Sequence, residues 1–316
     1  MFTLVFALMA GFVVAVAFMA TTSRGHVLLT GPSVAPPIAA GLSHQQVGQG
    51  SAGRSTAAKQ TRSGDVTSRG GGDAAGKTAR VHQLDARLAA ALRPVLGAHP
   101  GRLAVGVVDL RTGTTVTYDA GEPIRGGGVV TADILAALLL QHQQAGTPVS
   151  DREAELAASM IENGSDPAAT QLWTLVGGAG GLAKANATLK LRGTIPAPGD
   201  WTWTSTTVAD QLQLLADFVE PSSPLRASAR DYALGLMADA GPGQRWGVLA
   251  AASAHTAGAV NNAELHGPAW VIGSIGVIQR NGDELLVAVL SDRNPAQVPA
   301  VTAVQTAALK AVGLVG

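Results

Sequence analysis

Between Ile124 and Leu140 the chain reads Ile-Arg-Gly-Gly-Gly-Val-Val-Thr-Ala-Asp-Ile-Leu-Ala-Ala-Leu-Leu-Leu, three glycines feeding an apolar run. Wound as a helix, Val129, Val130, Ile134, Leu135, Leu138 and Leu139 leave almost no polar face, and such a helix is stable only when other elements enclose it. The stretch therefore belongs at the centre of a domain. The chain has 316 residues, 47% hydrophobic and 14% charged, which is enough for a domain around this helix plus an extension.

The flanking sequence gives that domain an order. Leu84, Leu88, Ala91, Leu92 and Val95 recur at helical spacing, with Pro94 and Gly97 marking a helix end. Leu103 to Leu110 reads as a strand, Arg111-Thr-Gly113 as a tight turn and Thr114 to Asp119 as the hairpin partner. After Gly146 the pattern is helical as far as Ala240, through Asp151 to Glu162, Pro167 to Val176, Gly180 to Leu189, Thr207 to Val219 and Pro224 to Met237. A Pro/Gly loop from Arg192 to Ser205 interrupts it. Ala269 to Ile278 is a buried-type strand, Asn281-Gly282 a hairpin turn and Leu285 to Leu290 the return strand. Pro299, Val301, Val304, Ala308 and Val312 form a closing helix. A helical insertion between strands makes the class α+β.

The first 80 residues read differently. Met1 to Ala20 is apolar and free of side-chain charge, about the length that spans a bilayer as a helix. A transmembrane anchor is the first reading and a cleaved signal segment the alternative, although a basic leader is missing and Phe18-Met-Ala20 is a poor cleavage site. Residues 21–80 are rich in Gly, Ser, Ala, Thr and Gln and show no apolar face, so they read as a disordered linker ahead of a folded domain at 81–316. Between Thr22 and Val81 seven bases face two acids, a stretch read as solvated, with contact to an anionic polymer or lipid surface as the alternative. Gly71-Gly-Asp-Ala-Ala-Gly-Lys-Thr78 satisfies a phosphate-loop pattern, but the sequence before it is too polar for the buried strand that such a loop needs, so no nucleotide site is expected.

Several local runs now bear on identity: Val107-Val-Asp-Leu-Arg-Thr-Gly113, Asp133-Ile-Leu-Ala-Ala-Leu-Leu139, Met160-Ile-Glu-Asn163 with Ala168-Ala-Thr170, and Trp270-Val-Ile-Gly-Ser-Ile-Gly276. In this order, from Val81 to Gly316, the chain resembles class A β-lactamases and penicillin-binding-type serine hydrolases. The resemblance implies an antiparallel five-stranded sheet flanked by the N- and C-terminal helices, with an all-helical lobe inserted. It also implies a central helix opening with Ser-x-x-Lys, in which the lysine three residues on takes the serine proton.

Measured against that pattern, the catalytic positions are degenerate. Gly128 stands where the serine belongs and Thr131 where the lysine belongs, and no serine in the chain is followed three residues later by lysine. Thr131 has no adjacent lysine or histidine, and a hydroxyl in a helix commonly back-bonds or caps. The Ser-Asp-Asn motif falls on Gly164-Ser165-Asp166, or with a shift of one on Ser165-Asp166-Pro167, and Ser165 with Asp166 reads as a helix N-cap. The family's Lys-Thr-Gly strand, whose lysine holds the substrate carboxylate, must lie between Lys190 and Lys310, where there is no lysine. His255 and His266 are the remnants there, read as loop or strand-edge residues. The loop Thr194 to Thr206 lacks the family's glutamate and has Asp200 as its one acid, while Trp201 and Trp203 read as packing that loop onto the helical lobe, with stacking on a ligand as the alternative; Asp200, Trp203, His255 and His266 are the possible pocket residues.

No cofactor is expected, no His/Asp/Glu group has metal-ligand spacing, and no basic aromatic face points to nucleic acid. The absence of cysteine excludes disulfides and thiolate metal sites. The favoured expectation is an extracytoplasmic, membrane-anchored homologue without the nucleophile Ser and general-base Lys, serving as a binding or regulatory module of a cell envelope. Its partner would be a peptidoglycan peptide or an envelope protein. Two alternatives stay open: an active β-lactam hydrolase or D-alanyl peptidase using a nucleophile such as Thr131, and an interaction protein that only mimics the family.

Overall fold

A computed structural model describes residues 70–253 and 258–315. The anchor expected at Met1–Ala20, most of the expected linker and His255 lie outside the described residues. Helix α1 (Gly70–Ala98) is followed by the antiparallel strands β1 (Arg102–Asp109) and β2 (Thr115–Tyr118), and then by the short β3 (Ile124–Arg125). A 3-10 turn at Gly127–Val129 leads into α2 (Val130–Ala145). The helical lobe comprises α3 (Asp151–Asn163), α4 (Asp166–Leu175), α5 (Gly178–Leu189), α6 (Val208–Val219) and α7 (Ala227–Ala238), with β4 (Ser205–Thr206) paired to β3. Three long strands, β5 (Gly258–His266), β6 (Ala269–Arg280) and β7 (Asp283–Asn294), and helix α8 (Gln297–Val312) complete it.

The main sheet runs β2-β1-β7-β6-β5, antiparallel throughout. Alternation along β7 sorts the core. Leu285, Val287 and Val289 face one side with Leu88 and Leu92 of α1 and Val304 and Ala308 of α8, while Leu286, Ala288 and Leu290 face the other with α2. This is the consequence of a period-2 side-chain pattern on a sheet covered on both faces. From Val130 to Leu140 every residue of α2 is buried, as its all-round apolarity requires. The hairpin at Asn281-Gly282 is made with both residues at positive φ, 54° and 88°, the conformation that selects this pair.

Three local expectations are revised. Helix α1 begins at Gly70, ahead of the expected domain start at 81, and Gly71–Thr78 is helical. It also continues past Pro94 to Ala98, where Val95 and Leu96 still pack against the sheet. Strand β5 had no sequence assignment of its own, because Asn261-Asn262 at its middle breaks the apolar alternation by which a strand is recognised. Among the described residues no helix is long and apolar enough to cross a membrane.

Candidate functional site

The cleft lies where the start of α2, the α3–α4 corner and β5 meet. It has a volume of about 310 Å³, and Gly128, Thr131, Gly164 and Asp166 all line it, so the structure brings together four of the residues singled out from the sequence. Gln244, Trp246, Asn261, Asn262, Glu264 and Gln297 complete its polar wall. None of these six was found from the sequence. Asn261, Asn262 and Glu264 sit on the unassigned strand, and Gln244 and Trp246 in a loop with no periodic pattern.

Gly128 lies on the 3-10 turn that launches α2, and the space beside it is filled. A Cβ added there would sit 2.7 Å from Asn262 Oδ1 and 2.9 Å from its Cγ. The neighbouring Gly127, at φ 52°, also faces the Asn262 amide. A side chain at position 128 would therefore require Asn262 to move. One turn further, the Thr131 hydroxyl donates to the Gly128 carbonyl at 2.7 Å, the back-bonded state in which its proton is engaged by the helix.

The α3–α4 corner is a capping structure. Gly164 closes α3 in the left-handed region at φ 67°, which favours glycine, and Gln244 packs where a Cβ would be. Ser165 then caps α4, its hydroxyl accepting from the Ala168 amide at 3.4 Å, with Pro167 in the first turn. This is the N-cap read from the sequence. Opposite, Asn261 donates to the Gln244 carbonyl and accepts from Ser274 Oγ, which itself accepts from the Val248 amide at 2.8 Å. Asn261 therefore holds the 244–248 loop against the sheet.

Glu264 is the acid the sequence reading missed. Its Oε1 lies 3.1 Å from Nε2 of the buried His266, out of line for a hydrogen bond, and its buried Oε2 has no hydrogen-bond partner. Burial pushes the Glu264 carboxyl above its usual range, His266 pulls it back, and the charges of Asp166 and Asp200 push it up again. His266 is the last residue of β5, which agrees with its strand-edge reading. Asp200 caps the 3-10 turn Trp201–Trp203 by accepting from the Thr202 amide at 3.0 Å.

The two tryptophans of that turn part company. Trp201 is buried and donates to Thr170 Oγ1 at 3.1 Å, fixing the loop to the helical lobe as expected. Trp203 does not pack there and is 49% exposed. The Arg125 guanidinium lies 3.8 Å from its ring centroid and His266 meets it edge-on at 5.5 Å. The pairing of β3 with β4 brings Arg125 to this loop, a long-range contact that local sequence does not encode.

Close to the cleft, α2 buries a carboxyl group. Asp133 is fully enclosed, accepts from Gln211 Nε2 at 3.1 Å, and leaves Oδ1 without a partner. Desolvation pushes its carboxyl up to about 7, with the Gln211 hydrogen bond opposing and the Asp210 charge assisting. Gln211 also donates to Thr206, and Thr206 is joined through Thr194 to Asp210. Among the described residues no group of three or more His, Asp or Glu side chains is disposed to hold a metal ion.

No protein-family model matches this sequence, and no curated protein matches it. Solved structures do. A β-lactamase from Xanthomonas campestris pv. campestris superposes with a TM-score of 0.63 at 18% identity, over 74% of this chain and 99% of its own. The reconstructed last common ancestor of Gram-negative class A β-lactamases gives 0.62 at 20% identity, over 72% and 99%. A further ancestral class A β-lactamase gives 0.61 at 20%, over 73% and 99%. The chain has the class A β-lactamase fold, and the expected five-stranded antiparallel sheet with flanking terminal helices and a helical lobe is present.

Proposed function

We propose that the chain is a non-catalytic binding or regulatory module on a β-lactamase-type scaffold, its cleft kept as a binding site after loss of acyl-transfer chemistry. The observation that carries this reading is the Asn262 side chain packed over Gly128. Acyl transfer through a covalent intermediate needs a nucleophile, an adjacent base and room for the acyl group. Here the nucleophile position is a glycine, the Thr131 hydroxyl is bonded to the helix backbone, and the described titratable groups lining the cleft are Asp166 and Glu264. The apolar Met1–Ala20 and the linker after it support placement as an extracytoplasmic, membrane-tethered domain of a cell envelope, facing a peptidoglycan peptide or an envelope protein.

Intact-protein mass spectrometry of the purified full-length chain after incubation with a fluorescent penicillin tests the reading. The expected result is no mass shift, for the chain and for Thr131→Ala alike. An adduct that Thr131→Ala abolishes would replace this reading with that of a threonine-dependent acyl-enzyme.

A further inference from the structure

A second hollow shares no residue with the cleft. It is an open groove of about 680 Å³ between α5 and the loop that leads to β4. Ala179, Ala183 and Ala187 recur four apart on the α5 wall, and Leu191, Ile195 and Pro196 complete the apolar lining. Ile195 is 60% exposed, so its aliphatic surface is open to an occupant. The two walls are already held together. Asn186 Nδ2 donates to the Thr194 carbonyl at 3.4 Å, and Thr194 Oγ1 donates to Asp210 Oδ2 at 2.7 Å, which fixes the loop against α5 and α6. A mostly apolar hollow of this volume, formed in advance, is of the kind that takes a small molecule.

Charge at the groove is of one sign and at one end. The titratable groups lining it are Lys190 and Arg192, where α5 ends. Among the described residues neither is paired with a carboxylate, although the Lys190 charge also acts on Asp217 of α6. From Ala179 to Lys190 the helix advances about 16 Å. The groove is thus an apolar trough with a cationic end.

That pattern selects among occupants. An extended peptide finds no ladder here, because α5 satisfies its own backbone and Ile195 already exchanges its N–H and C=O with Ser205. An alkyl chain needs no hydrogen bonds, and its burial is non-directional. A carboxylate at the end of such a chain meets two cations that have no acid beside them in the groove.

We infer that this groove binds a free long-chain carboxylate, its alkyl chain laid along Ala183 and Ile195 and its head between Lys190 and Arg192. The site is separate from the cleft and stands whether or not the cleft is catalytic.

Dodecanoate, dodecyltrimethylammonium and hexanoate, all below their micellar concentrations, are titrated into the full-length chain while binding heat and tryptophan fluorescence are followed. Saturable dodecanoate binding is expected with a Kd of about 1–100 μM, at least about tenfold tighter than the cationic amphiphile and weakening as salt is raised. Hexanoate, six methylenes shorter, is expected to bind more than about a hundredfold more weakly. Ala183→Glu, which sets an acid on the groove wall, is expected to weaken dodecanoate at least about tenfold, and Arg192→Gln about three- to fivefold. Both positions are exposed, and unchanged circular dichroism and thermal midpoints confirm that the variants fold. Ala183→Glu leaves Met1–Ala20 untouched, so it separates binding in the groove from uptake by that apolar segment.

No saturable dodecanoate binding up to about 1 mM, equally tight binding of dodecyltrimethylammonium, or dodecanoate binding indifferent to Ala183→Glu would each overturn the inference. Self-association that Ala183→Glu disrupts, read by light scattering without dodecanoate binding, would assign the groove to a second copy instead. Sedimentation with phosphatidylglycerol vesicles that Ala183→Glu abolishes, again without dodecanoate binding, would assign it to a lipid surface.

Discussion

The sheet is covered on both faces, and the two covers are different kinds of packing. On one face α1 and α8 lie on it through aliphatic side chains, Leu84, Leu88, Leu92, Val304, Ala307 and Ala308, fitted to Val105, Val287 and Val289. On the other, α2 brings Ile134, Leu135 and Leu138 but also Asp133, which is tied through Gln211 and Thr206 into a chain of buried polar groups. Aliphatic packing is non-directional and asks only for volume, whereas a buried polar chain asks for particular partners at particular distances. The face bearing the cleft is thus the demanding one. Side chains lining the cleft can change while the aliphatic cover on the opposite face continues to hold the sheet.

The comparison can be broken or sharpened by experiment. The largest effect is expected from Leu92→Ala on the aliphatic face, where a fully buried side chain is removed. Its cost is ~2–5 kcal/mol in urea unfolding, and equal near pH 5 and near pH 8 because no titrating group is disturbed. A marked pH dependence of that cost would show the two faces to be coupled.

On the cleft face stability itself is expected to depend on pH. The Asp133 carboxyl is raised from 3.8 to about 7 in the folded protein. Between those values the native state holds a proton that the unfolded chain has released, so stability falls as pH rises from about 4 and levels off above about 7. The loss is on the order of 2–4 kcal/mol, and Asp133→Asn should remove most of it. Asp217, raised to about 6 chiefly by burial, contributes in the same direction and leaves a smaller slope in that variant. A wild-type stability that rises over this range would reject the assignment of Asp133 as a buried neutral acid.

A smaller effect is expected at the cleft itself. Restoring a side chain by Gly128→Ser drives it into Asn262 and should cost ~1–3 kcal/mol. Adding Asn262→Ala should recover most of that loss, and a double-mutant cycle measures the coupling. Full additivity would mean that Asn262 does not occupy the space.

How far the site was legible follows the same division. Gly128, Thr131, Gly164 and Asp166 were found because each sits in or beside a helix whose spacing is regular, and Ser165 because a cap needs only the next few residues. Glu264, Asn262 and Trp246 were not found. Their strand and loop carry no periodic signal, and what they do depends on partners far along the chain. The packing reading of Trp203 gives way for a related reason, while its reading as a pocket residue stays open. A tryptophan beside a buried one looks like packing until the β3–β4 pairing puts Arg125 against its face.

By itself the sequence determined that an enclosed helix follows a triple glycine, that a helical lobe is inserted between strands, and that no Ser-x-x-Lys nucleophile pair exists. Those are properties of composition and short-range spacing. The tertiary structure alone decided that Asn262 covers Gly128, that Thr131 is bonded back to its own helix, and that the cleft is walled by Asp166 and Glu264. Shifting β5 by one residue against its neighbour would turn Asn262 and Glu264 to the opposite face of the sheet. The chemistry of this cleft is therefore set by strand register, which only the assembled sheet fixes.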